Sequence, residues 1–165
     1  KSAMWVRTAS SEDLTVISAM LTETWHDTYD SIYGYDKVAE LTTAWHSVDS
    51  LKQRLTKPRS EFIVTDDGAE ISGMAYVSQV DNETAMLHQL YVRPTQQGQG
   101  LGEKLLIEAE ACFPDVRKIR LEVEEANNRA IKFYQNNGFK QVDTTPDCGV
   151  KGSGIPAIIM EKVIW

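Results

Sequence analysis

Leu90-Tyr91-Val92-Arg93-Pro94-Thr95-Gln96-Gln97-Gly98-Gln99-Gly100-Leu101-Gly102-Glu103 reads as a strand that delivers a glycine-rich turn into a helix. Leu90 and Val92 close an apolar run that begins near Met86, Pro94 stops it, and Leu101, Leu105, Ala109 and Cys112 then recur at helical spacing. The glycines therefore sit at a helix N-terminus. There the first backbone N–H groups have no intrahelical partner and the helix dipole is positive. Gly98, Gly100 and Gly102 carry no Cβ to hold a bulky anion away, so the arrangement suits phosphate.

The spacing separates this loop from other phosphate loops. A Walker A loop opening at Gly98 needs Gly at 103 and Lys at 104, and Glu103 occupies the first position. A dinucleotide fingerprint opening at Gly98 also needs its third Gly at 103, and belongs after the first strand of a repeating β-α-β unit rather than past mid-chain. Both readings fail. The remaining pattern, Gln97-x-x-Gly100-x-Gly102 after Leu-Tyr-Val-Arg-Pro, closely resembles the pyrophosphate-binding motif of the GNAT superfamily of acetyl-CoA-dependent N-acyltransferases.

With 165 residues, 42% of them hydrophobic, the chain can bury a core without metal or disulfide support. One domain over 4–165 is the simplest reading. Cys112 and Cys148 make no disulfide framework, and no zinc-type spacing joins them to the three histidines, so a reducing cytoplasm and no metal are expected. No apolar run is long enough for a bilayer, and no basic-then-apolar signal segment is present. A formal net charge of −7 argues against nucleic acid and weakly favours cationic partners. Nothing fixes the oligomer, and a homodimer stays open.

The coarse order follows from periodicity and turn chemistry. Met4 to Thr8 reads as a strand, and Ser10-Ser11-Glu12-Asp13 caps a helix over about 11–26 with Leu14, Ile17, Met20 and Leu21 on one face. A second helical region over about 36–57 breaks near His46-Ser47, where Ser47 or Asp49 can cap a second piece. A three-strand antiparallel meander follows through 62–64, 71–80 and 84–92, then the glycine-loop helix to about Phe113. Strand 118–123, helix 128–137 and a closing pair at 139–144 and 156–163 complete the chain.

This β-αα-βββ-α-β-α-ββ order resembles the GNAT fold over nearly the whole chain. It implies an α/β (α+β), single-domain fold with a mixed central sheet of about seven strands and helices on both faces. A second signature is similar too: Leu121-Glu122-Val123, then Asn127-Asn128-x-Ala130-Ile131-x-Phe133-Tyr134-x-x-x-Gly138-Phe139.

The resemblance implies acetyl-CoA as co-substrate, a primary amine as acceptor, and roles for particular residues. Leu90, Tyr91 and Val92 match the strand along which the pantetheine arm lies, and Gln97, Gly98, Gln99, Gly100, Leu101, Gly102 and Glu103 match the pyrophosphate cradle. Asn127 matches a pantetheine contact, with helix capping as its structural alternative. Tyr134 matches a tyrosine that protonates the leaving thiolate. His88 resembles the base of arylalkylamine N-acetyltransferases and is slightly favoured; Glu122 resembles that of ribosomal-protein alanine N-acetyltransferases, and water can serve either.

In the family, the first two helices and the loop between the last two strands wall the acceptor site, here Glu23–Tyr35 and Thr145–Gly154. Trp25, Tyr29 and Tyr33 recur at i+4, and with Asp27 and Asp30 they could offer an ammonium π faces and carboxylates. Core packing is the stronger expectation for Trp25. His26 and His46 are expected to be solvated or capping, and Cys148 is not expected to accept an acyl group. A small amine or polyamine is preferred as acceptor over a protein N-terminus or lysine. A module that binds acyl-CoA without turnover is the remaining alternative.

Overall fold

The computed structural model describes residues 4–149 and 151–165. In chain order the elements are β1 (Trp5–Thr8), α1 (Leu14–Tyr33), α2 (Tyr35–His46), α3 (Val48–Thr56), β2 (Ser60–Asp66), β3 (Ile71–Gln79) and β4 (Thr84–Val92). They continue with α4 (Leu101–Ala111), β5 (Lys118–Glu124), α5 (Asn128–Asn136), β6 (Lys140–Thr145) and β7 (Ala157–Val163). The strands form one seven-stranded sheet in the order β1-β2-β3-β4-β5-β7-β6. It is mixed: β4 and β5 are parallel, while β1/β2, β5/β7 and β6/β7 are antiparallel. No helix among the described residues is long and apolar enough to cross a membrane.

Most expected elements appear within a residue or two, and α1 is the exception. A 3-10 turn at Ser11–Asp13 precedes it, and the helix runs to Tyr33 rather than ending near residue 26. Residues 27–33 hold no glycine or proline to stop a helix; Gly34, at φ 86°, is the first position suited to an exit. The break between α2 and α3 falls where expected, with Ser47 Oγ accepting from the Ser50 N–H at 3.2 Å.

Backbone contacts divide the chain into two compact units, one of residues through Tyr76 together with Gln89–Ala109, the other of Val77–His88 with Glu110–Trp165. In the first, Leu14, Ile17, Leu21, Leu51, Phe62 and Met74 form a buried cluster, with Tyr91 packed against it. In the second, Leu121, Val123, Phe139, Ile158 and Met160 are buried. The parallel ladder pairs Thr84–Leu87 with Lys118–Leu121 and ends there, although β4 runs on to Val92.

Gly73 in β3 marks a close approach within the first unit. A Cβ there would stand 2.9 Å from the Tyr91 carbonyl oxygen, 3.0 Å from Leu105 Cδ1 and 3.1 Å from Thr65 Oγ1. Gly73→Ala should lower stability by about 1–3 kcal/mol through overpacking, against the gain that a glycine-to-alanine change brings where space allows. Urea unfolding checks the sign; a stabilised variant would mean that β3 and β4 are less tightly fixed than these contacts require.

Candidate active site

The end of β4 is tied down before the glycine turn begins. The Arg93 N–H donates to the Ser72 carbonyl at 2.8 Å, Arg93 Nε donates to the Ile71 carbonyl at 2.7 Å, and Gln97 Nε2 reaches back to the Val92 carbonyl at 3.0 Å. The chain then passes through Gly98 and Gly100 at φ 82° and 81°, conformations that a side chain would strain. The bond from the Lys104 N–H to the Gly100 carbonyl, at 3.1 Å, opens the α4 ladder. The N–H groups of Leu101, Gly102 and Glu103 therefore precede that ladder, at the positive end of the helix.

A Cβ at Gly98 or Gly100 would meet nothing within 4 Å, so the turn faces open space. Unpaired N–H groups beside an open glycine turn fit a pyrophosphate. Two residues assigned to the cradle contribute differently from their neighbours. Gln97 spends its side-chain amide on Val92 and shapes the turn, and the Leu101 side chain is buried in the core, leaving its backbone N–H as its contribution.

In the second unit, β5 carries Glu122 and Glu124 at period-two spacing, hence on one face. Glu122 Oε1 accepts the Gly149 N–H at 2.9 Å, and Cys148 Sγ approaches Glu124 Oε1 at 3.8 Å. The β6–β7 loop is thus fastened to β5 by two carboxylates; Val150, within the loop expected to wall the acceptor, lies outside the described residues. Burial and the carboxylates of Glu124 and Glu122 push the Cys148 thiol far up, so it stays protonated and unreactive.

Tyr134 is buried in α5, its ring meeting Phe133 and Phe139 at centroid distances of 5.2 and 5.5 Å. Burial first, then the Glu124 carboxylate, raises its hydroxyl well above the ordinary tyrosine value. The Asn127 side-chain oxygen accepts from the Ala130 N–H at 3.1 Å, which gives it the capping role. His88 is exposed on β4, its Nε2 2.7 Å from Ser78 Oγ.

The aromatic segment of the first unit is more deeply placed than an exposed acceptor wall requires. Trp25, Tyr29 and Tyr33 do share one row of α1, but Trp25 and Tyr29 are each only 2% exposed. Along the row the Trp25 and Tyr29 rings meet tilted at 4.5 Å and Tyr29 stacks on Tyr33 at 5.6 Å, and Trp25 meets Trp45 at 5.5 Å and Tyr91 at 6.4 Å. Trp25 is thus packed in the core, the stronger expectation for it, and Tyr29 is buried with it. The same row that could greet a ligand is the one α1 must bury to pack. Asp30 is likewise engaged, its Oδ1 2.6 Å from His26 Nδ1.

His46 also departs from expectation: it is 1% exposed, neither solvated nor capping. Its Nδ1 lies 3.4 Å from Gln89 Nε2, Gln89 Oε1 accepts from Arg54 NH1 at 2.7 Å, and Arg54 NH2 donates to the Trp45 carbonyl at 2.6 Å. Arg54 further lies 5.8 Å from the centre of the Tyr76 ring. Desolvation and then the Arg54 charge pull His46 down to about 3. Periodicity could have found Glu124, two residues past Glu122; no local signal announces that Arg54, His46 and Gln89 meet.

Comparison with known proteins places these features in a family. The model described as "Acetyltransferase (GNAT) family" matches residues 19–139. The chain is 28% identical over 145 residues to a spermidine N(1)-acetyltransferase of Thermoplasma acidophilum, covering 84% of this chain and 89% of that one. It is 27% identical over 96 residues to an N-alpha-acetyltransferase of Mycobacterium tuberculosis, covering 56% of this chain and 60% of the relative. Among solved structures, the PaiA N-acetyltransferase of Thermoplasma acidophilum in complex with coenzyme A superposes with a TM-score of 0.85 at 26% identity, covering 98% and 99% of the two chains.

The depressed His46 gives a signed pH dependence. Its folded value of about 3 lies below the usual 6.5, so between the two the unfolded chain holds one more proton. The stabilisation is complete above pH 6.5 and is lost progressively as pH falls towards 3, at up to about 1.4 kcal/mol per pH unit from this group. Denaturant unfolding between pH 7 and pH 4 should show that slope, and His46→Phe should flatten it. An equal slope in the variant would place the titration elsewhere.

Proposed function

The chain belongs to the GNAT acetyltransferase family, and we propose that this acyltransferase moves acetyl from acetyl-CoA to a primary amine of a small molecule, with aliphatic polyamines preferred. The observation that carries the acceptor class is the near full-length likeness to a spermidine N(1)-acetyltransferase. The acidic balance of the chain, −7, agrees with a cationic acceptor.

In this reading the Leu101, Gly102 and Glu103 N–H groups and the Gly98–Gly100 turn hold the pyrophosphate. Leu90, Tyr91 and Val92, past the end of the ladder with β5, hold the pantetheine arm, and a backbone N–H of that stretch stabilises the oxyanion. The amine nitrogen attacks the thioester carbonyl, the C–N bond forms, the C–S bond breaks, and sulfur leaves towards the Tyr134 hydroxyl. The amine's proton goes to His88 or, in the second assignment, to Glu122, directly or through water. Asn127 supports the Tyr134 helix through its cap, and Tyr33, half-buried at the end of the aromatic row, contributes to the acceptor wall over Trp25 and Tyr29.

A thiol-release assay across spermidine, spermine, amino acids, aminoglycosides, arylalkylamines and peptides tests the acceptor class. Turnover of polyamines above the others is expected; a peptide N-terminus as best acceptor would move the enzyme towards protein N-acetylation, and no turnover with any acceptor would leave an acyl-CoA-binding module. Acetyl-CoA should also raise the Tm by mass action. Gly102→Val, in the first turn of α4 where the backbone is already helical, should abolish that rise while the variant stays folded. A retained shift would remove the cradle assignment.

Tyr134→Phe keeps the ring and deletes the hydroxyl, so kcat should fall about 10²- to 10³-fold with coenzyme A affinity nearly unchanged. A fall of only a few-fold would show that another group serves the sulfur. For the base, His88→Gln should remove the rising limb of kcat/KM with pH, and Glu122→Gln should act mainly by loosening the Gly149 contact. The reverse pattern would assign the proton to Glu122, and near-normal rates in both would assign it to water.

A further inference from the structure

Three buried side chains of the second unit act on one another across β5: Cys148 of the β6–β7 loop, Glu124 of β5 and Tyr134 of α5, which are 6%, 8% and 9% exposed. The loop that carries Cys148 has Gly149, Gly152 and Gly154 all at positive φ, so its backbone is free to take many forms unless it is tied. It is tied at Cys148. The Cys148 N–H donates to the Ile155 carbonyl at 2.7 Å, the Gly149 N–H to Glu122 Oε1 at 2.9 Å, and the Gly154 N–H to Asp147 Oδ1 at 2.9 Å. These bonds set the thiol against β5, where Sγ donates to Glu124 Oε1 at 3.8 Å.

What the thiol does there follows from the donors and acceptors around it. It stays protonated, so it offers Glu124 one donor and is no nucleophile. A carboxylate can only accept. The Tyr134 hydroxyl makes no hydrogen bond among the described residues, although the Glu124 charge acts on it. Nor is its oxygen one of the sealed polar atoms left without a partner, as Trp25 Nε1 and His46 Nε2 are. A phenol beside a carboxylate gains from donating to it, because a charge-assisted hydrogen bond is stronger than a neutral one. Such a bond would spend the phenol's proton inside the protein. With the thiol on Glu124 Oε1, the Tyr134 proton is left for a partner that comes from outside.

We propose that Cys148 is a positioning residue for the acetyl transfer: its thiol holds the Glu124 carboxylate in the orientation that leaves the Tyr134 hydroxyl unbonded and open to the departing sulfur. This role rests on the donor role proposed for Tyr134 and adds to it what keeps the donor available. Packing alone asks less of the position. A small apolar residue would fill the same space, but it would take away the donor that Glu124 Oε1 now receives.

Cys148→Ala and Cys148→Ser test the role. Without the thiol, Glu124 takes the Tyr134 hydrogen bond, so Cys148→Ala should lower kcat about tenfold, the worth of roughly one hydrogen bond to the transition state, with the acetyl-CoA Tm shift retained. Cys148→Ser, whose hydroxyl can donate to Glu124 in the thiol's place, should recover most of that loss. The carbon-13 resonance of the Tyr134 Cζ, assigned by its absence in Tyr134→Phe, reads the hydroxyl in the protein without acetyl-CoA. It should move in Cys148→Ala and return in Cys148→Ser, which a thiol that only fills space would not produce. If Cys148→Ala does not fold, Cys148→Val keeps the bulk without the donor and replaces it. The proposal is overturned if the variant lacking the donor keeps the wild-type kcat, if Cys148→Ser is as slow as that variant, or if the Tyr134 resonance does not move. A wild-type rate in Tyr134→Phe, with the resonance shift present, would refute the donor role of Tyr134 alone; a slow Tyr134→Phe beside a Cys148→Ala of wild-type rate would refute the Cys148 role alone.

Discussion

Everything proposed for the cofactor depends on how the exit of β4 is held. Three hydrogen bonds, from the Arg93 N–H to Ser72, from Arg93 Nε to Ile71 and from Gln97 Nε2 to Val92, satisfy the backbone on the strand side of the turn. With that side satisfied, the N–H groups at the start of α4 are the ones left over. A buried loop could not tolerate such a remainder, but this turn is exposed and can leave its donors to a ligand. Arg93 NH1 also reaches Glu23 of α1 at 3.3 Å, so the exit is joined to the first helix as well as to β3.

The Arg54–Gln89–His46 network supports the same strand from the other direction along the chain. Gln89 immediately precedes Leu90, and its carboxamide is fixed at both ends, Oε1 by Arg54 and Nε2 towards His46. Because Arg54 can only donate, the amide must present its own N–H to His46, which makes Nδ1 the acceptor and Nε2 the protonated nitrogen. His46 Nε2 and Trp25 Nε1 are then buried donors without a partner. Each unmade bond costs of order 1–3 kcal/mol. The aromatic packing around Trp25 and the two hydrogen bonds of Arg54 offset that cost and hold the strand in one register.

What could be read from the residues alone divides along a physical line. The order of elements was legible because periodicity and turn chemistry are local: Pro58, Ser47 and the glycine run each act within a few residues of themselves. The cradle was legible for the same reason, since its donors are backbone groups of one contiguous stretch. The length of α1 is less legible because Glu23–Tyr35 matches the acceptor segment of the family, although nothing in it breaks a helix before Gly34. The His46 network was illegible because it joins α2, α3 and β4 across 43 positions of chain, as in the Gln89–His46 contact. Burial of Trp25 and Tyr29 lay between these cases: the i+4 row identified a face, but only packing determines whether a face meets solvent or core.

The surroundings of Tyr134 constrain how the proposed donor can act. A hydroxyl raised by burial and by the Glu124 carboxylate holds its proton throughout the neutral range, so it is always available as a donor. The same shift makes complete transfer to a thiolate unfavourable, because ordinary thiols ionise near pH 8.5, far below such a phenol. The useful contribution is then a hydrogen bond that strengthens as negative charge gathers on sulfur, with the sulfur's proton drawn finally from the base that took the amine's proton or from water. Glu124 sharpens the distinction by penalising any phenolate that forms. It is itself held by the buried thiol of Cys148, which stays protonated for the same reason, so the acidic face of β5 rewards partial donation over ionisation at both neighbours.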